Sequence, residues 1–372
     1  MDSKNEENLG KVDVVDEEDT LDELENDQKN FEEESFLDVL KIFSPGTSMR
    51  TALDDILRAR MGALIVFEAD GLNGVMDGGF RINCKFSAQR LVELAKMDGA
   101  IILSSDLKKI IYANTLLVPK GSYKTVETGT RHKAAERTSK QLGTIVVAVS
   151  ERKNKITLYW KEYKHVLQRS SEILRRATET LQILEKQKEI FDSLMQHLNV
   201  LEITDLASSN DVCNVLQRME IIRRISDNVK RYLVELGKEG IIVSMRLKEL
   251  TKNISSDKSK IIEDYFDDKD KINSLLEGMN FDFLLETSNI MRILFNELHD
   301  KSVYPRGRRI LSKTEFLDKD LDLVVSHLKT LGKIFDSEKE DFEKVFGEKS
   351  LVESFRNSIK GLKEKILEGK IM

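Results

Sequence analysis

Along the chain the spacing of apolar positions changes more than once, and each change marks a different kind of element. Phe36, Val39, Leu40 and Phe43 recur at helical intervals up to the Ser44-Pro45-Gly46 break. Leu53, Ile56 and Leu57 carry a second such stretch, so residues 35–60 are predicted to be helical. Short apolar runs follow at 63–67, 100–103, 110–113 and 144–149, with an alternating one at 156–160. Runs of this length and β-favouring composition predict strands. A helical stretch, 87–96, with Leu91, Val92, Leu94 and Ala95, lies between them. Strands alternating with helices predict an α/β layer domain that closes near residue 165.

From about 162 to 255 the pattern is almost continuously helical. Leu174, Ala177, Leu181, Leu184, Phe191, Leu194, Leu198 and Leu201 form an apolar stripe of bundle type, best explained as a structural spine. Residues 207–215 interrupt the stripe. A second helix then runs through Ile221, Ile222, Ile225, Val229 and Leu233 and ends at Gly237 and Gly240. Residues 255–300 are acidic and helical, and short helices punctuated by Gly332, Gly347 and Gly361 are predicted for 301–372.

Composition narrows the class. The 372 residues include only 3 prolines and 19 glycines, which disfavours a sandwich of short strands. No apolar run is long enough to span a bilayer, and the opening MDSKNEENLG has no basic stretch leading into an apolar one, so neither a membrane span nor a secretory leader is expected. The two cysteines, Cys84 and Cys213, cannot build a disulfide scaffold or a zinc cluster, and a cytoplasmic location is expected. The net charge of −6 hides an asymmetry. Residues 1–34 hold 15 acids and 3 lysines, a net of −12, so the remainder carries +6. The arm reads as a solvated, disordered tail. The basic remainder permits an anionic ligand.

Two short stretches offer chemistry. In Met97-Asp98-Gly99-Ala100 a carboxylate stands at a helix-to-strand turn, where it could bind a divalent metal or polarise a hydroxyl, although Asp-Gly is first of all a turn dipeptide. In Glu127-Thr128-Gly129-Thr130-Arg131-His132-Lys133, small residues permit close backbone approach, and Arg131, His132 and Lys133 can all meet phosphate. A helix is predicted from Ala134, its N-terminus aimed at the same anion, with Thr130 able to act as its cap. His165, His197, His299 and His327 fall in helical contexts and are read as structural. Walker A, G-x-S-x-G and H-E-x-x-H patterns are absent.

At these residues the chain resembles a known family. DGGFRIN (77–83), LAKMDGAIILS (94–104), YANTLLVP (112–119), ETGTRHKAAERTSKQLG (127–143) and AVSERKNKITLYW (148–160), in this order, resemble the DisA-type diadenylate cyclases, the DNA integrity scanning proteins. The likeness continues through LEKQKEI, RRISDNVKRYLVELGKEG and PRGRRILSK. It implies an enzyme that joins two ATP molecules into cyclic di-AMP and releases two pyrophosphates, using Mg²⁺ or Mn²⁺. The implied fold is an α/β cyclase domain (35–165) with a mixed sheet flanked by helices, after the acidic arm (1–34). An all-α spine (166–300) follows, then a small helix-hairpin-helix-like domain (301–372) that binds DNA, branched DNA above all. A homo-octamer with cyclase domains facing in pairs is implied, in the cytoplasm and in association with the nucleoid. Asp98 would hold the metal and help activate the ribose 3′-hydroxyl. Gly99 and Leu117 would border the nucleoside. Thr130, Arg131, His132, Lys133 and the adjoining Ala134, joined by Ser150 and Arg152, would hold the triphosphate. Arg306, Arg308, Arg309, Gly347 and Lys349 would meet DNA.

The chain departs from the family pattern at three places. Lys133 stands where the family has Arg, keeping the charge without the fork. Ala134 stands where a Thr is common. Gly347-Glu348-Lys349 stands where the family's hairpin carries Gly-x-Gly, which weakens the expectation of DNA binding more than that of cyclase activity. The rival expectation is a non-enzymatic scaffold that senses ATP and binds DNA junctions.

Overall fold

The structure, a computed structural model, describes residues 35–297, 299–347 and 349–369. The acidic arm expected over 1–34 lies outside them. The chain divides into two compact units: one up to Ile173 that also includes Val234–Glu239, and one of Leu174–Leu233 with the chain from Gly240 onward.

The first unit is α/β, as expected. A helix α1 over 35–42 and α2 (Ser48–Arg58) precede β1 (Ala63–Phe67). Then come β2 (Met76–Asp77), β3 (Phe80–Lys85), α3 (Ala88–Leu94), β4 (Ala100–Leu103), β5 (Lys109–Leu117), α4 (Thr130–Leu142), β6 (Ile145–Ser150), β7 (Lys155–Trp160) and β8 (Tyr163–Leu167). Among the described residues they form one eight-stranded sheet of order β2-β5-β4-β1-β6-β7-β8, with β3 also paired to β5. The sheet is mixed: β1 and β4 are parallel, and the other pairs are antiparallel.

Strand alternation sends side chains to two cores. Ala63, Ile65 and Phe67 of β1 pack with Phe43, Leu53, Ile56 and Leu91, whereas Leu64 and Val66 pack with Ala135, Val146 and Tyr159. With both faces covered, the central strands are continuously apolar, which made them legible in the sequence. Helix α2 places Met49, Ala52, Leu53 and Ile56 on one stripe, and the Thr47 hydroxyl caps it by accepting from the Arg50 amide at 3.1 Å.

Three strands were not foreseen, and β2 spans only two residues. β3 alternates apolar with polar residues and β8 is interrupted by Lys164 and His165, so neither carries a continuous apolar run. β8 also corrects the expected start of the helical spine near 162 and takes His165 out of a helix. Its Nε2 lies 3.1 Å from Glu235.

The second unit holds most of the two long helices, α5 (Ser170–Ile203) and α6 (Ser209–Leu236). The break between them is shorter than the expected 207–215. Ser208 and Asp211 cap each other, Oγ donating to Oδ2 at 2.7 Å, and α6 is already under way at Ser209. The remaining helices are α7 (Ile241–Leu250), α8 (Ile254–Tyr265), α9 (Lys269–Gly278), α10 (Phe281–Leu285), α11 (Thr287–Phe295), α12 (Arg308–Leu311), α13 (Asp318–Leu328), α14 (Leu331–Asp336), α15 (Lys339–Phe346) and α16 (Lys349–Leu367). Ile203 shares a core with Ile310, Leu331, Phe342, Phe355 and Leu362. Among the described residues no helix is long and apolar enough to cross a membrane.

Candidate active site

Strand register gathers the candidate residues of the first unit. Leu64 pairs with Ala100 across the parallel β1–β4 ladder, and Ala63 pairs with Val149 across the antiparallel β1–β6 ladder. The residue before β1 (Gly62), the residue before β4 (Gly99) and the last residue of β6 (Ser150) therefore share one end of the sheet. Asp98 stands there, exposed, and among the described residues no hydrogen bond or ion pair engages its carboxylate. Its backbone is held firmly. Gly99 has φ +89°, and a Cβ on it would lie 2.8 Å from the Asn114 carbonyl carbon, so only glycine fits. Asn114, itself at φ +55°, donates from Nδ2 to the Asp98 carbonyl at 2.9 Å.

Helix α4 brings the cations to the same end. It begins at Thr130, four residues before the expected start at Ala134, and its cap is Gly129, which makes no side-chain cap bond, rather than Thr130. The first-turn N–H groups of α4 are thus left for an anion. The Arg131 guanidinium lies along Gly62, where a Cβ would fall 2.1 Å from Nη1, and Nη1 reaches the Val149 carbonyl at 3.5 Å. Among the described residues no carboxylate pairs with Arg131 or Lys133, so the charge stays available.

His132 is half-buried, edge-on to Tyr159 at 6.5 Å between ring centroids. Burial holds its pKa below the ordinary 6.5. Arg131, Lys153 and Lys164 act the same way, and Glu127 opposes them. Burial tends to raise the pKa of Glu127, but hydrogen bonds from Lys164 and Tyr159 outweigh it and keep the carboxylate ionised. The Tyr159 hydroxyl donates to Glu127 at 2.9 Å. The loop before α4 is stapled along the helix: Gln141 accepts from the Lys120 amide at 2.8 Å, Arg137 donates to the Tyr123 carbonyl at 3.0 Å, and Thr125 donates to Glu136.

The other expected contacts are mixed. Leu117 ends β5 and packs in the same core as Ala135, with Ala134 against it, so both serve packing. Ser150 Oγ accepts from the Lys153 amide at 3.3 Å and shapes the turn after β6. Arg152 lines a cavity of about 670 Å³ with Arg58, Arg60 and Arg169. Among the described residues no three His, Cys, Asp or Glu are arranged to hold a metal ion. A divalent ion at Asp98 would take one protein carboxylate and complete its shell from nucleotide phosphates and water, a donor set that suits Mg²⁺. Asn114, Gly62 and Glu127 support the site although the sequence reading gave them no role. Asn114 could have been found by the tolerance of Asn for left-handed backbone, but nothing local marks Gly62.

The residues expected to meet DNA fare differently. Arg309 is 1% exposed, which corrects its expected role. Its guanidinium donates to Glu202 at 2.6 Å and to Asn199, leaving no face for a phosphate. Arg306 donates to the Glu263 carbonyl at 2.9 Å and pairs with Asp267, and Arg308 pairs with Asp322 at 2.5 Å. Gly347, at φ +71°, caps α15, and the exposed Lys349 opens α16.

Comparison with known proteins covers most of the chain. Residues 50–163 match the family described as DAC, DisA bacterial checkpoint controller nucleotide-binding, and residues 167–301 match the DisA bacterial checkpoint controller linker region. The DNA integrity scanning protein DisA of Clostridium acetobutylicum is 40% identical over 351 residues, 92% of this chain and 98% of that protein. The protein of the same name from Clostridium kluyveri is 41% identical over 344 residues, 90% and 97% of the two chains. Among solved structures, a double mutant of DacA from Staphylococcus aureus aligns over 32% of this chain and 83% of its own at 30% identity, with a TM-score of 0.28.

Proposed function

The chain belongs to the DisA family, with both its nucleotide-binding domain and its linker region, and on that footing we propose that it is a diadenylate cyclase that condenses two ATP molecules into cyclic di-AMP. The observation that carries this reading is the convergence of Asp98 and Arg131 at one end of the sheet, the first on the β4 turn and the second on Gly62. A carboxylate with no partner among the described residues and a fork of cationic donors at a helix start without a side-chain cap suit the ribose edge and the triphosphate of one nucleotide.

In the reaction each ribose 3′-hydroxyl attacks the α-phosphorus of the other nucleotide. A 3′-O–P bond forms, the bond to the β-phosphate oxygen breaks, pyrophosphate leaves and the hydroxyl proton passes to water. Thr130, Arg131, His132 and Lys133 orient the triphosphate and offset its growing charge. Asp98 orients the attacking hydroxyl and is the residue that would hold Mg²⁺ or Mn²⁺, which supplies charge neutralisation when bound. A twofold-symmetric product calls for two sites facing each other, hence pairs of chains and, by family likeness, an octamer. The relatives' name supports DNA as a second partner; by family likeness it is bound through the terminal helices, and the protein is cytoplasmic and nucleoid-associated.

The test is direct. The purified full chain, with ATP and Mg²⁺ or Mn²⁺, is expected to yield cyclic di-AMP and pyrophosphate in a 1:2 ratio. A correctly assembled oligomer that yields neither overturns the proposal.

A further inference from the structure

The arginines that sequence reading assigned to DNA are tied up in the fold, yet the same module keeps an unspent group of cations elsewhere. A groove of about 350 Å³ opens between the end of α14, the start of α15 and one side of α16. Lys339, Arg356, Lys360 and Lys363 line it, and Glu353 is the acid among its lining residues. Among the described residues no ion pair engages any of these four cations, in contrast to Arg306, Arg308 and Arg309. Arg356, Lys360 and Lys363 sit at i, i+4 and i+7 of α16 and so share a helix face about 10 Å long. That length spans about three of the 3.4 Å steps between successive phosphates of one strand along a duplex axis. Lys363 is held in place by the Phe335 ring, its Nζ 5.3 Å from the centroid, so this cation is positioned without being neutralised. Ile359 anchors the face to the core of the module.

We propose that this groove, and not the turn at Gly347, is where the chain grips the phosphodiester backbone of DNA. The proposal rests on the DNA-binding reading above and assigns it a surface. Such a contact is to the backbone alone, so it is blind to base sequence and steeply salt-dependent.

The experiment measures binding of the full chain to a four-way junction and to a duplex oligonucleotide across a series of salt concentrations. Three proteins are compared: the unaltered chain, Arg356→Gln with Lys360→Gln and Lys363→Gln, and Lys349→Gln at the turn. Thermal melting and ATP turnover report whether each variant is folded. The triple variant is expected to bind at least tenfold more weakly on every sequence, with the slope of log affinity against log salt reduced by about three. Lys349→Gln is expected to change the slope by one or less. A triple variant that binds like the unaltered chain, or a Lys349→Gln loss that exceeds the triple, overturns the groove while leaving DNA binding intact. If the unaltered chain binds neither oligonucleotide, the DNA reading itself fails and the groove falls with it. If the triple variant melts early, the single Lys360→Gln, an exposed position, is measured in its place, with a slope change of about one expected and no change overturning the proposal.

Discussion

Arg131-His132-Lys133 in the first unit and Arg306, Arg308 and Arg309 in the second are similar clusters of cations in sequence, but the fold uses them in opposite ways. At α4 the cations stand on the first turn of a helix, beside glycine and backbone carbonyl, and among the described residues no carboxylate neutralises Arg131 or Lys133. At α12 the arginines are met by Glu202, Glu263, Asp267 and Asp322, and one of them is sealed from water. A cation whose partner is backbone keeps its charge for a ligand. A cation whose partner is a buried carboxylate has become part of the structure, and its removal exposes the cost of the charge left behind.

That contrast can be broken by substitution. Asp98→Asn and Arg131→Gln are each expected to lower cyclic di-AMP formation on the order of 100- to 1,000-fold with little change in melting temperature. Retained activity would separate the first cluster from catalysis. Arg309→Ala is expected to do the reverse, destabilising the second unit by about 3–5 kcal/mol in urea titration because Glu202 is left buried without its cation, the Tyr265 hydroxyl remaining as its neutral donor. Arg308→Gln, at a half-exposed pair, is expected to cost under about 1 kcal/mol. Equal effects of the two would erase the distinction drawn between a sealed and a wet arginine.

A third experiment sharpens the first region. Gly99→Ala places a methyl 2.8 Å from the Asn114 backbone at a positive φ and is expected to cost about 1–3 kcal/mol and to displace Asp98. Gly121→Ala, in open space on the nearby loop, is expected to stay within about 0.5 kcal/mol of the unaltered chain.

The smallest effect concerns pH. Burial, helped by Glu202, pushes Asp264 up from 3.8 to about 6, against the amides of Arg308 and Arg309 that its carboxylate accepts. A raised carboxyl favours the folded state when protonated. The stability it adds is complete below pH 3.8 and is lost as pH rises through about 6. Between pH 7 and 5 the urea midpoint of the second unit is therefore expected to rise, and Asp264→Asn to flatten that rise. An unchanged slope in the variant would assign the effect to another group.

Much of the fold was legible. β1, β4 and β6 are covered on both faces and announce themselves as apolar runs, whereas β3 and β8 are interrupted by polar residues and do not. Thr130 has the chemistry of a cap and the sequence points to a helix from Ala134, yet Gly129 is the cap and α4 begins at Thr130. Asp98 could be singled out from its turn, but its meeting with Arg131 depends on pairing between strands distant in the chain.

What the sequence determined by itself was local: helical and strand periodicity, the acidic arm against a basic remainder, and the motifs that mark the family. Only the tertiary structure decided which charges remain for a ligand. Arg309 and Glu202 are 107 positions apart and the Arg306 guanidinium bonds a carbonyl 43 positions away, so no window along the chain reveals that these arginines are occupied. Charge is a property of residues, but availability of charge is a property of the neighbours that folding brings to them.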